Sequence, residues 1–200
     1  LFDFTLRGDL KSVKKALKEG ADINTRNKYG ESPLFIASSN GHLKLVKYFL
    51  KNWADINARE NYHNNSLLIA LLNLYSKIAQ LLIDQGIEIN IQSKSGITPL
   101  MMMARDGYLK MVKQVLPRIK NINSKTGSGA TALMFASSWN RPKILRLLIQ
   151  SGAMVNKVSK YGETALIYSA MKGNLNIAKI LLNHGAKLKK KNKFGKTAIM

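Results

Sequence analysis

Apolar residues along this chain fall into blocks of two lengths that alternate. The longer block runs "LVKYFL", "IAQLLI", "MVKQVL", "ILRLLI", "IAKILL". Within it Leu43, Val46, Phe49 and Leu50 are spaced three and four apart, which puts them on one face of a helix. The shorter block opens on "SPL" (32–34), "TPL" (98–100), "TAL" (131–133), "TAL" (164–166) and "TAI" (197–199). Ser32 and Thr98 suit a helix N-cap, and Pro33 and Pro99 suit the first helical position. Gly41, Gly107 and Gly173 then end a first helix, and Gly86, Gly152 and Gly185 end a second, where a left-handed residue is wanted. A short turn and an Asn follow, at Asn24, Asn57, Asn90, Asn123 and Asn156.

All of this repeats every 33 residues: Gly30, Gly96, Gly129, Gly162 and Gly195 share one slot, with His63 filling it once. A glycine loop that cradled a phosphate would occur once, so the recurrent glycines are architecture. A fixed period in this range marks a solenoid, because no unit of this size buries its apolar face alone. The pattern predicts one domain over 1–200, built from units 1–29, 30–62, 63–95, 96–128, 129–161, 162–194 and a truncated 195–200. The first unit lacks its opening turn. The last lacks a second helix and would leave an open apolar edge, so the chain is expected to continue past Met200.

"GITPLMMMARDGYLKMVKQVL" and "GETALIYSAMKGNLNIAKILLNHGA" resemble ankyrin repeats, whose pattern is Gly-x-Thr-Pro-Leu-His-x-Ala, then Gly-His, Leu-Leu and Gly-Ala-Asp-x-Asn. The resemblance spans essentially the whole chain. It implies an all-α solenoid of stacked helix–turn–helix units, β-turn fingers between them, and a role in binding proteins. It names no partner.

Three positions depart from the pattern. Leu74 stands where other units have the turn glycine, so this turn is expected to differ. Trp53 and Ile119 replace the glycine that ends the second helix, and Pro117 should cut its helix short. In "MMM" (101–103), Met103 occupies the slot of a small family Ala and reads as core.

Composition adds limits. Hydrophobic residues make up 46% and charged residues 22%, a globular mixture. No apolar run approaches the roughly 20 residues that span a bilayer. The chain has no cysteine, which excludes thiolate chemistry and is compatible with cytoplasmic, secreted or periplasmic compartments alike. His42, His63 and His184 fall in different repeat slots with no acidic cluster beside them, so no metal or cofactor is expected. No nucleophile–base set or carboxylate pair stands out, and Ser32 reads as a cap, so no enzyme and no small-molecule substrate is expected.

The formal net charge is +21. Lys, Asn and Ile supply 61 of the 200 residues, and their A/T-rich codons offer a compositional cause. Acidic partners offer another. Lysine recurs at Lys11, Lys44, Lys77, Lys110 and Lys143. Three residues along stand Lys14, Lys47, Lys113, Arg146 and Lys179, broken by Gln80. Residues three apart share a helix face, so two basic rows are expected on the second helices.

Specificity in such an array lives in outward slots that vary between units. Just before each repeat start stand Tyr29, Tyr62, Ser95, Ser128, Tyr161 and Phe194. The first helices end on Leu72, Asn73, Arg105, Asp106, Trp139, Met171 and Lys172. In ankyrin proteins both sets line the concave side. The resulting expectation is a non-catalytic scaffold that binds a protein, an acidic one if the charge is functional. The alternative is electrostatic binding of nucleic acid or an anionic membrane through the basic rows, for which no motif speaks.

Overall fold

The structure is a computed structural model that describes residues 1–200. It contains twelve α-helices, one short 3-10 turn and no strand. Two compact units divide it, Leu1–Lys94 and Ser95–Met200.

The first unit holds α1 (Phe2–Leu6), α2 (Leu10–Lys18), α3 (Pro33–Ser39), α4 (Leu43–Lys51), α5 (Ser66–Leu72) and α6 (Ser76–Asp84). Here α1, α3 and α5 pack in succession, and α4 packs on α6. The second unit holds α7 (Pro99–Asp106), α8 (Leu109–Val115), α9 (Ala132–Ser138), α10 (Pro142–Gln150), α11 (Ala165–Met171) and α12 (Leu175–Asn183). Again the first helices α7, α9 and α11 pack in succession, as do the second helices α8, α10 and α12.

Each first helix after α1 starts the same way. The side chains of Ser32, Asn65, Thr98, Thr131 and Thr164 accept a hydrogen bond from the backbone N–H three residues on. Such a cap stabilises a helix by about 1 kcal/mol. The first helices after α1 are buried over most of their length; Met101, Met102 and Met103 are all core, as the slot of Met103 predicts. The second helices bury one face only, for example Leu45, Val46 and Phe49 of α4.

Fingers join the helix pairs. In four of them one side-chain acceptor takes two backbone N–H groups and folds the loop around itself. Asn27 takes the N–H groups of Tyr29 and Glu31, and Glu60 those of Tyr62 and Asn64. Ser159 takes those of Tyr161 and Glu163, and Asn192 those of Phe194 and Lys196. Backbone bonds tie neighbouring fingers. In the first unit Asn61 N–H donates to Tyr29 O at 3.0 Å and Lys94 N–H to Tyr62 O at 2.9 Å. In the second, Gly127, Lys160 and Lys193 donate to Ser95, Ser128 and Tyr161 at 2.8, 2.7 and 2.9 Å. The recurrent Asn is a second tie. Asn24 accepts from Asp55 N–H, Asn57 from Glu88, Asn123 from Met154 and Asn156 from Lys187.

Two of the three expected departures do not occur. Leu74 adopts φ +63°, the conformation its glycine counterparts take, and its turn does not differ. Tyr75 N–H reaches Ala70 O at 2.8 Å just as His42 N–H reaches Ala37 O at 3.0 Å. The side chain of Leu74 is 60% exposed, so its Cβ has room, and the closing bonds outweigh a left-handed cost of roughly 1–2 kcal/mol. Trp53 does the same at φ +63°. Only Ile119 departs. It is extended at φ −74°, ψ 118°, and α8 gives way at Val115 to a 3-10 turn over Leu116–Arg118 that contains Pro117.

Candidate protein-binding surface

The outward slots behave differently in the two units. In the first, Tyr29 and Tyr62 are exposed, and each is covered by a lysine ammonium, Lys28 at 5.1 Å and Lys94 at 5.5 Å from the ring centroid. Leu72 is half-buried at the end of α5. Asn73 is committed to the scaffold: its Nδ2 donates to Ser39 O at 2.8 Å.

In the second unit Tyr161 and Phe194 stack, with centroids 6.3 Å apart and planes at 24°. Arg105 and Asp106 close a part-buried bidentate pair at 2.7 and 3.0 Å. The Asp106 carboxylate hydrogen bond raises the Arg105 pKa. Arg141 Nε donates to Arg105 O at 2.9 Å. This last contact belongs to a recurring brace: the residue opening the second helix reaches back to the end of the previous first helix. His42 does so through Nε2 to Leu6 O, and Asn174 through Nδ2 to Ser137 and Ser138 O. The lone histidine of the second repeat is therefore part of the scaffold.

Trp139 is the focus. It ends α9, stacks on Phe135 one turn earlier with centroids 5.7 Å apart and planes at 20°, and remains 47% exposed. Beside it lies a pocket of about 230 Å³ walled by Phe135, Met134, Ser138, Ser128 and Tyr168. Burial, then the hydrogen bond to Glu163, pushes the Tyr168 phenol up to about 12, so it stays neutral at ordinary pH. The site therefore offers two aromatic walls, one methionine and neutral hydroxyls. That set suits an apolar side chain with a polar neighbour, and it contains no nucleophile–base pair. Lys172 and Met171 are exposed at the end of α11, in the slots that follow Trp139 and Ser138 by one repeat.

Neither Phe135 nor Tyr168 stood out in the sequence. Their signal is a column: the slot reads Ile36, Ile69, Met102, Phe135, Tyr168, and turns aromatic only at its end.

The basic rows are exposed in both units. On α2, α4 and α6 they are Lys11, Lys14, Lys44, Lys47 and Lys77; on α8, α10 and α12 they are Lys110, Lys113, Lys143, Arg146 and Lys179. None of the ten forms an ion pair, in contrast to Arg7 with Asp3, Lys15 with Glu19 and Arg105 with Asp106. No group of three His, Cys, Asp or Glu residues is arranged to hold a metal ion. No helix is long and apolar enough to cross a membrane.

Stacked helix pairs tied by hydrogen-bonded fingers define a helical repeat protein. The family model described as ankyrin repeats matches three times, over residues 1–93, 75–159 and 152–200, and the chain belongs to the ankyrin-repeat family. A search of curated proteins found no match. Among solved structures, the chain resembles one from the complex of the Bd0816 predatory endopeptidase of Bdellovibrio bacteriovorus with immunity protein Bd3460. The identity is 28% and the TM-score 0.79, covering 91% of this chain and 96% of that one. It also resembles the human ASB11 ankyrin repeat domain at 23% identity and TM-score 0.80, covering 99% and 89%. The latter likeness shows the fold alone. Ankyrin repeats are generally protein–protein interaction scaffolds, and the family is generally non-catalytic.

Proposed function

We propose that this chain is a non-catalytic scaffold that binds a protein partner on the face formed by finger tips and first-helix ends, the concave face of the ankyrin pattern. Trp139 is its anchor. The observation that carries this reading is a half-exposed tryptophan stacked against Phe135 in the wall of a pocket. Rigid aromatics in pockets dominate protein interfaces, and Trp leads the residue types found there. Tyr161 and Phe194 extend the surface in the second unit; the first unit offers Tyr29, Tyr62 and Leu72 in its own outward slots. A neighbour in fold whose structure was solved as a protein–protein complex supports the same class of partner.

The test is affinity capture from the native cell, followed by calorimetry on the identified partner. Trp139→Ala should weaken binding by about 2 kcal/mol or more and leave far-UV circular dichroism unchanged. Full-strength binding by Trp139→Ala, Tyr161→Ala and Phe194→Ala alike would remove this face from the function.

A further inference from the structure

The +21 charge is not shared evenly. Ser95–Met200 contains nineteen Lys and Arg against two acidic residues, a net +17; Leu1–Lys94 contains thirteen against nine, a net +4. Both carboxylates of the second unit are already used. Asp106 is held by Arg105 at 2.7 and 3.0 Å, and Glu163 accepts from Ser159 at 3.3 Å and from the Tyr168 phenol. No free carboxylate therefore stands on the face that carries Trp139. Cations border it. The backbone of Lys160 is bonded at 2.7 Å to Ser128, a wall of the pocket. Lys172 is exposed one repeat along from Trp139 itself.

Resting on the scaffold reading above, we propose that the Trp139 pocket receives an acidic protein segment with one apolar anchor. The anchor, aromatic or aliphatic, enters between Trp139 and Tyr168. Flanking Asp or Glu side chains meet Lys160 and Lys172. A bare apolar pocket would take a neutral segment equally well. Exposed Lys160 and Lys172, with both carboxylates of the unit already engaged, give the preference its sign, by attraction and by repelling basic competitors. Single-stranded nucleic acid also pairs aromatic faces with cations, but it needs both along one track. Here the ion-free rows Lys110, Lys143 and Lys113, Arg146, Lys179 stand on the second helices. The aromatic rings stand on first helices and fingers, with one face of Trp139 covered by Phe135.

The test uses the full chain, panned against a displayed library of random dodecapeptides. Enriched peptides should carry Trp, Phe or Leu flanked by Asp and Glu. A synthetic copy of the best should lose about thirtyfold affinity to Trp139→Ala, as a hot spot does. It should lose about tenfold to the pair Lys160→Glu, Lys172→Glu, and weaken as salt rises. A polyglutamate peptide without an anchor should bind more weakly than that copy. Peptides that depend on Trp139 but show no acidic bias would overturn the acidic partner and leave the scaffold reading standing. No enrichment, or enrichment indifferent to Trp139, would overturn both. Tighter, Trp139-dependent binding of single-stranded oligothymidylate would overturn the proposal in favour of a stacking platform for nucleic acid.

Discussion

The two units meet the same backbone demands with different residues. Where the repeat wants a left-handed residue, the first unit supplies Trp53, His63 and Leu74, all near φ +65°. The second unit supplies glycine almost throughout. Its one exception with positive φ is Asn140, at +52°, a residue type that tolerates this region. At Ile119, where even that was lacking, the chain leaves the conformation altogether. The first unit also holds Ser66 at the first position of α5, fully buried, with its Oγ lacking any hydrogen-bond partner. Its counterparts are Pro33, Pro99, Ala132 and Ala165. Backbone and packing compromises thus gather in the near-neutral unit. The unit with the cleaner backbone carries +17 of surface charge. The two halves are under different kinds of stress, and each kind answers to a different substitution.

The largest expected effect comes from giving the second unit a compromise of the first. His63 fills the finger slot that Gly129 occupies in the second unit. A Cβ on Gly129 would lie 2.7 Å from Lys160 N and 3.0 Å from Ser159 C, which are backbone atoms that cannot swing aside. They belong to the finger that donates to Ser128 at 2.7 Å, so Gly129→Ala strains φ and loosens that tie together. The expected loss is about 2–4 kcal/mol. Trp53 is almost fully exposed, whereas Trp139 is stacked on Phe135, so a fluorescence-detected urea melt reports chiefly the second unit through Trp139. The Trp139 signal should move to lower urea. An unmoved Trp139 midpoint would mean that the fingers have slack, and that the contrast between His63 and Gly129 is empty.

How far this was legible in the sequence depends on which force decides. The helix pairs, the caps at Ser32 and Thr98 and the burial of Met103 follow from pattern and local chemistry repeated at one period, so they could be read. Leu74 and Trp53 could not. Their penalty is visible in the residue type, but the bonds that outweigh it, such as Tyr75 N–H to Ala70 O, exist only in the folded turn. The finger aromatics stood out as a column. Whether a ring stacks on its neighbour, as Tyr161 does on Phe194, or lies under a lysine, as Tyr29 does, turns on geometry between loops. The pocket beside Trp139 was half legible. Trp139 was conspicuous, while Phe135 and Tyr168 sat in a column that reads as core until its last two members.

A smaller effect, opposite in sign, is expected at Ser66. A buried hydroxyl without a partner costs roughly 1–3 kcal/mol, and alanine removes it while keeping the helix start that Ala132 and Ala165 already use. Ser66→Ala should stabilise the first unit by about 1–2 kcal/mol, seen as slower amide exchange in α5 and α6. Faster exchange would mean that the hydroxyl is bonded in solution and that Ser66 is no source of strain in the first unit.

The finest test uses one substitution in one slot of each unit. Trp53 and Ile119 occupy equivalent positions, 66 residues apart, at the end of a second helix. Trp53 is 90% exposed at φ +63°, so its ring contributes almost no packing while its Cβ carries the left-handed penalty. Trp53→Gly removes roughly 1–2 kcal/mol of that strain and adds roughly 0.5–1 kcal/mol of unfolded-state freedom. The net should be a gain of about 0.5–1 kcal/mol, read as slower amide exchange in α4. Ile119 has no such strain to release. Its φ of −74° suits a β-branched residue, and it is half-buried. Ile119→Gly therefore keeps only the entropic loss and some lost burial, and should destabilise α8 by about 1 kcal/mol. Opposite signs at equivalent slots would show that the first unit holds its strain in place while the second escaped it by rebuilding the turn around Pro117. Equal signs would mean that the two turns are one conformation in solution, and the distinction between the units would then rest on charge alone.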